Sequence, residues 1–151
     1  MQRKLKRLAS LSPCDWVILI QLVAAAVFLE IVLRLVALPR LVHTLAWGAN
    51  TRLGAAFPLC HRRTEPDHLC TLASFAARIV HGPECCLSRS LLVFWLLRLR
   101  REPVVLLIGV RKDTKRLHSH AWIETPSMIR NEVHNHGRAF LPLLRFSNET
   151  V

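Results

Sequence analysis

The sequence predicts an α+β fold in which helices precede a small antiparallel sheet. Up to about residue 100, apolar residues recur at helical spacing and charged residues stand at the matching helix ends. After Pro103 the pattern changes to a β-branched run and then to an alternating segment, which are typical of strands. Because helices come first and strands follow, a doubly wound α/β fold is excluded.

Composition restricts the class of protein further. A chain of 151 residues that is 52% hydrophobic is long enough for one domain with a buried core. Its five cysteines include no Cys-x-x-Cys pair, so we expect free thiols in a reducing cytoplasm and no disulfide scaffold or zinc ribbon. The net charge of +11 favours acidic partners. Without a nucleic-acid motif or any tyrosine, nucleic acid is not the expected partner.

The first predicted element is a long apolar helix over about residues 15–38, which follows a cap signal and stops near Pro39. Its uncharged stretch, residues 16–29, is shorter than the roughly 20 residues of a membrane span. Glu30 and Arg34 follow it at a spacing that allows them to pair on one helical face. A core helix is therefore the preferred interpretation. A helix lying on a membrane beside the basic N-terminus, and a true span, remain alternatives.

Helix-breaking residues and loops in the sequence divide the chain into two regions and delimit two further helices. Residues 1–64 form an N-terminal helical region that is expected to end in a loop, and residues 65–151 form the second region of one compact domain. Helical spacing runs from Glu65 to Val80, and His81-Gly82-Pro83 ends it. The run from Cys86 to Arg101 is apolar over most of its surface, so it predicts a central helix.

The strands are predicted after this helix. "VVLLIGV" at residues 104–110 is typical of a buried strand, and "LHSHAWIE" at residues 117–124 alternates polar and apolar positions. "SMIRNEV" at residues 127–133 is the expected third strand. The tail "GRAFLPLLRF" has no assignment from its pattern.

Cys86 is the first candidate for chemistry because it stands at the start of the central helix. The partial positive charge of a helix N-terminus favours a thiolate. His118 and His120 share a strand face, and either is a candidate base; Asn131 and Glu132 lie one hairpin further along as groups able to orient an imidazole. A cysteine used only for packing is the main alternative. Metal binding is not expected because no set of residues has ligand spacing.

Residues 84–132 resemble a known enzyme family. "CLSRSLLVFWLLRLR", "VVLLIGVRKD" and "HSHAWIE" are similar to the transglutaminase-like cysteine peptidases that remove leader peptides in lasso-peptide biosynthesis, the family of the microcin-processing protein. The likeness is looser over the N-terminal helices. It implies a transglutaminase-like or papain-like catalytic core in residues 65–151. It also implies the split form, in which a separate small protein recognises the leader.

The resemblance assigns roles to individual residues. Cys86, directly before leucine, takes the position of the nucleophile, and His120, directly before Ala-Trp, takes that of the base. The third member of the family's triad is an aspartate, and Glu132 occupies the best-fitting position. Because this chain has glutamate there, Asn131 remains an alternative.

Arg89 and Trp122 are expected to support the site. Cys85 and His118, which lie beside the candidate nucleophile and base, are not expected to take part. Arg89 assists the thiolate, binds substrate, or forms an ion pair with Glu84 or Glu124. Trp122 is expected in the core or a pocket wall near His120. Cys85 and His118 have no counterpart role in the family.

The implied activity is peptide hydrolysis that frees the N-terminal amine of the core peptide for ring closure. The implied partners are the precursor peptide, a separate leader-recognition protein and a lasso cyclase, with no cofactor and no metal. The expected location is the cytoplasm, with membrane contact left open. Two rival interpretations are a non-catalytic helper that binds the precursor and a peripheral membrane component of the biosynthesis or export complex.

Overall fold

The computed structural model describes residues 12–49, 51, 64–83, 85–112, 116–126 and 140–147. These residues form helices α1 (Pro13–Leu35), α2 (Leu38–Ala49), α3 (Pro66–His81) and α4 (Cys86–Leu99), followed by strands β1 (Val105–Lys112), β2 (Leu117–Glu124) and β3 (Leu141–Phe146). The helices pack on a small antiparallel sheet. The predicted α+β class is therefore confirmed.

Helix α1 begins at a capping box. The Ser12 Oγ accepts a hydrogen bond from the Asp15 N–H at 3.2 Å, and the Asp15 carboxylate accepts one from the Ser12 N–H at 2.9 Å. Burial alone would raise the pKa of Asp15, but hydrogen bonds from Ser12 and His68 hold that pKa below its ordinary value. The stabilisation from Asp15 is therefore present at neutral pH and is lost as the pH falls through the lowered pKa.

The end of α1 differs from the expectation. The helix stops at Leu35, Val36 is extended, and a second helix begins at Leu38 and continues to Ala49. Pro39 thus lies in the first turn of α2 instead of terminating α1. A proline is tolerated there because the N–H that it lacks has no intrahelical partner.

The core lies between the four helices and the inner face of the sheet. Helix α4 supplies the largest share of fully buried side chains, including Leu91, Leu92, Phe94 and Leu96, as expected for a central helix. Polar contacts also join α1 to α3. Asp15 contacts His68 at 3.0 Å, and Glu30 contacts His81 at 3.1 Å.

The sheet has the order β2–β1–β3, and β1 is antiparallel to both neighbours. The third strand of the structure is Leu141–Phe146, in the tail that the sequence pattern left unassigned; the expected strand at 127–133 lies outside the described residues. Residues 141–145 are all exposed, so β3 shows no alternation that reveals a strand. Its Pro142 suits an edge position, because proline cannot donate to a ladder.

The two faces of the sheet have different surroundings. Leu106, Ile123 and Phe146 share the face that packs on the helical core. Because strand residues alternate between faces, His120 and Trp122 lie on the other face. His120 therefore lies on the face opposite Leu106, beside the buried side chain of Trp122.

Gly109 lies directly opposite His120 on the central strand, and its lack of a side chain is required. A Cβ at this position would lie 2.7 Å from the main-chain oxygen of Leu141 and 2.9 Å from the Trp122 ring. The main chain of β3 and the indole cannot both move aside without disturbing the sheet. Gly109 therefore sets how closely β3 and Trp122 approach β1.

We expect Gly109→Ala to lower the free energy of unfolding by about 1–3 kcal/mol, the usual cost of overpacking. Gly48→Ala is the matched control, because nothing lies within 4 Å of a Cβ added there and alanine favours the helix. Urea denaturation of both variants measures the difference. Equal stability of the two variants would contradict this account of Gly109.

Candidate active site

Cys86 is the first residue of α4, as the sequence predicts, and Cys85 is its N-cap. The Cys85 side chain makes no capping hydrogen bond and is buried, whereas Cys86 is half-buried. The N–H groups of a helical first turn have no intrahelical acceptors, so they leave partial positive charge at this end of α4. Cys86 therefore lies beside the free N–H groups of the helix start, whereas Cys85 occupies a packing position.

A buried hydrogen bond joins α4 to the strand that carries His120. The Ser90 Oγ donates to the main-chain oxygen of Ala121 at 3.0 Å, and Ser90 is 2% exposed. Ser90 lies one helical turn after Cys86, and Ala121 directly follows His120. The contact therefore brings the helix of the candidate nucleophile against the strand of the candidate base. Sequence reasoning missed Ser90, although a serine inside an apolar helix signals a buried polar group that needs a partner.

The His120 imidazole lies in a row of rings. Its centroid is 6.2 Å from that of Trp122, with an interplanar angle of 16°, and 5.2 Å from that of Phe140, with an angle of 30°. The Arg111 guanidinium carbon lies 5.1 Å from the centre of the Phe140 ring, within cation–π distance. These stacked contacts restrain the plane of the imidazole. Phe140 and Arg111 had no predicted role, since neither is near His120 in sequence.

Trp122 and Arg89 stand in different surroundings. Trp122 is buried beside His120 and donates its Nε1–H to Glu124 at 3.3 Å. One of the alternatives for Arg89, an ion pair with Glu124, is not formed; the Glu124 carboxylate instead accepts the indole N–H. Among the described residues Arg89 has no ion-pair partner, and Glu84 lies outside them.

The remaining predicted site residues are not brought into the site by the described structure. Asn131 and Glu132 lie outside the described residues, so the third triad member stays a prediction. His118 lies on β2 on the same face as His120 but is exposed near the start of the strand. Within the described ranges no cluster of three or more histidine, cysteine or acidic residues is arranged to hold a metal ion.

The thiol of Cys70 differs from that of Cys86 in its surroundings. Burial, reinforced by the negative charges of Asp67 and Glu102, raises the pKa of Cys70 to about 12. A thiol with this pKa stays protonated at physiological pH. Cys70 is therefore not a candidate nucleophile.

A comparison with protein-family models identifies the family of the chain. The model of the transglutaminase-like superfamily matches residues 25–145, which is most of the chain. The chain belongs to the transglutaminase-like superfamily. Its fold is thus cysteine-peptidase-like, and transglutaminase-like proteins commonly have cysteine protease activity. Neither a curated protein nor a solved structure matches the chain.

The Ser90 contact predicts a specific stability defect in this transglutaminase-like protein. Ser90→Ala removes the donor and leaves the Ala121 oxygen buried, so we expect a loss of about 1–3 kcal/mol in the free energy of unfolding. Ser74→Ala is the control, because Ser74 donates only to Cys70 within its own helix. Thermal or urea denaturation compares the two. A defect no larger in Ser90→Ala than in Ser74→Ala would argue against the contact between α4 and β2.

Cys86 and Cys70 are expected to differ in their reactivity toward an alkylating reagent. At pH 8 we expect iodoacetamide to modify the half-buried Cys86 while Cys70 stays unmodified, because the raised pKa of Cys70 keeps it from forming the reactive thiolate. As the pH rises toward 12, Cys70 gains thiolate and becomes reactive. Mass spectrometry of peptides from the native protein measures both sites, and urea-unfolded protein is the control in which both react. Equal labelling of the two in the native state would overturn the assignment.

Proposed function

We propose that this protein is a cysteine peptidase that removes the leader peptide from a ribosomally made lasso-peptide precursor. The observation that carries the peptidase proposal is Cys86 at the start of α4, with α4 bound through Ser90 to the strand that holds His120. Membership of the transglutaminase-like superfamily supports the same chemistry. The precursor as substrate rests on the resemblance of residues 84–132 to the leader peptidases.

The proposed reaction starts at the Cys86 sulfur. His120 accepts the thiol proton, and the thiolate attacks a backbone carbonyl carbon of the bound precursor. The C–N bond breaks as His120 delivers its proton to the leaving amine, and the leader remains as a thioester on Cys86. Water activated by His120 then hydrolyses the thioester and restores the thiol. The freed amine is the N-terminus of the core peptide.

The first turn of α4 supplies the groups that stabilise the transition state. Its free N–H groups point beyond the helix start, where the oxyanion of a tetrahedral intermediate would form, and each well-placed donor contributes about 3 kcal/mol. The reaction needs no metal or cofactor. Arg89, one turn along α4, serves as a supporting cation for the thiolate or the precursor.

The imidazole of His120 must be oriented for this reaction. In the proposal Glu132 accepts a hydrogen bond from it, with Asn131 as the alternative. The rings of Trp122 and Phe140 add a second restraint on the imidazole plane.

The proposed partners are the precursor, a separate leader-recognition protein and a cyclase that consumes the freed amine. The net charge of +11 favours docking of acidic leader or recognition surfaces. The proposed location is the cytoplasm, where the thiols stay reduced.

Cleavage of the cognate precursor by the purified full chain, with and without the recognition protein, tests the proposal. We expect Cys86→Ala and His120→Gln to lower kcat/KM by at least about a thousandfold. Cys85→Ala is the control and should retain most of the activity, because its thiol is only packed. Cleavage that survives in Cys86→Ala but not in Cys85→Ala would identify the other thiol as nucleophile. Cleavage that survives in both would leave only a binding role.

The same assay distinguishes the two candidates for the third member. If Glu132 orients His120, Glu132→Gln lowers kcat far more than Asn131→Ala while KM changes little. The reverse order would assign the role to Asn131. Equal, small effects would show that the stacked rings alone orient the imidazole.

A further inference from the structure

Helix α1 is apolar on two opposite sides. Its inner side chains are buried in the core, at positions Ile18, Leu19, Leu22, Ala26 and Leu29. A second set is exposed and forms what we call the outer stripe: Trp16, Val17, Ile20, Ala24, Val27, Phe28, Ile31 and Leu35. At 100° per residue the outer stripe covers about 120° of the helix circumference and runs for about 30 Å. The part of the chain that the structure describes leaves this continuous apolar surface exposed, which is unusual for a soluble monomer.

The outer stripe contains no charged residue. Glu30 and Arg34 lie at its edge and pair with each other at 2.8 Å, and Glu30 also contacts His81. Asp15, at the start of the helix, is held by Ser12 and His68. The acidic side chains of α1 are therefore already engaged and do not oppose an apolar or anionic partner.

Basic and aromatic residues flank the outer stripe in the sequence. The sequence "RKLKR" at residues 3–7 precedes it, and Arg40 and His43 follow it on the exposed side of α2. Trp16 lies near one end of the stripe, and Trp47 is exposed on the next helix. Tryptophan and basic side chains favour the boundary between the acyl chains and anionic headgroups of a bilayer.

We propose that the outer stripe binds the surface of an anionic membrane, with α1 lying in the plane of the bilayer. The charge decides between this partner and a second copy of the chain, because two chains of net charge +11 repel each other while anionic lipid attracts them. The proposal concerns a surface apart from Cys86 and His120 and does not depend on the peptidase activity.

The contacts of α1 favour a helix on the membrane over a helix across it. By length and composition Pro13–Leu35 is the one helix among the described residues that is able to cross a membrane, and 28% of its most apolar stretch is buried. Its inner side, however, forms part of the core and is joined to α3 by Asp15–His68 and Glu30–His81. A span would break these contacts and place Glu30 in hydrocarbon.

Flotation of the purified full chain with lipid vesicles tests the proposal. We expect it to float with phosphatidylcholine vesicles that contain phosphatidylglycerol, and to bind pure phosphatidylcholine or vesicles in high salt more weakly. Ile20→Ser should weaken binding by about tenfold, since it removes apolar surface from the stripe. Leu143→Ser is the matched control, because Leu143 on β3 is 60% exposed and Ile20 is 65% exposed. Circular dichroism confirms that both variants are folded.

Several results would overturn the proposal. The absence of flotation with anionic vesicles, or an equal loss in Leu143→Ser, would show that the stripe does not bind lipid. A dimer in lipid-free solution that Ile20→Ser dissociates would assign the stripe to a second copy. Retention of the protein in cell membranes after an alkaline carbonate wash would show a span. The assay contains no precursor, so its failure is distinguishable from failure of the peptidase proposal.

Discussion

The hydrogen bond from Ser90 to the main-chain oxygen of Ala121 joins the helical half of the molecule to its sheet, and the candidate site depends on it. Most side chains of helix α4 are buried in apolar contacts, which are non-directional and fix its position along the strand only weakly. A buried hydrogen bond is directional, and leaving it unmade is costly. It therefore fixes how α4, the helix that begins at Cys86, lies along the strand that carries His120.

The two faces of the sheet have different neighbours. Its inner face completes the apolar core, while its outer face holds His120 between the strand neighbour Trp122 and Phe140, which directly precedes β3. Gly109 allows this arrangement because the absence of a side chain leaves room for the indole and for the main chain of β3. The position of the imidazole is thus determined by contacts that cross all three strands.

Helix α1 divides in a similar way between two environments. Its inner side belongs to the core and is joined to α3 by two histidine–carboxylate contacts, whereas its outer stripe faces away. His81 is the last residue of α3 and comes shortly before Cys86. Its contact with Glu30 therefore also ties α1 to the start of the segment that leads to Cys86. Membrane binding through the outer stripe would leave these contacts intact, so surface docking and peptide cleavage are compatible in one fold.

The sequence by itself determined the α+β order, the start of α4 at Cys86, strands β1 and β2, and the adjacency of Trp122 to His120, because periodicity and capping are local properties of the chain. Tertiary structure alone decided the end of α1 before Pro39, the identity of β3, the partner of Glu124, and the contacts Ser90–Ala121 and Phe140–His120. The physical reason is that an exposed edge strand has no alternation to detect, and a contact between distant residues depends on how every intervening element packs.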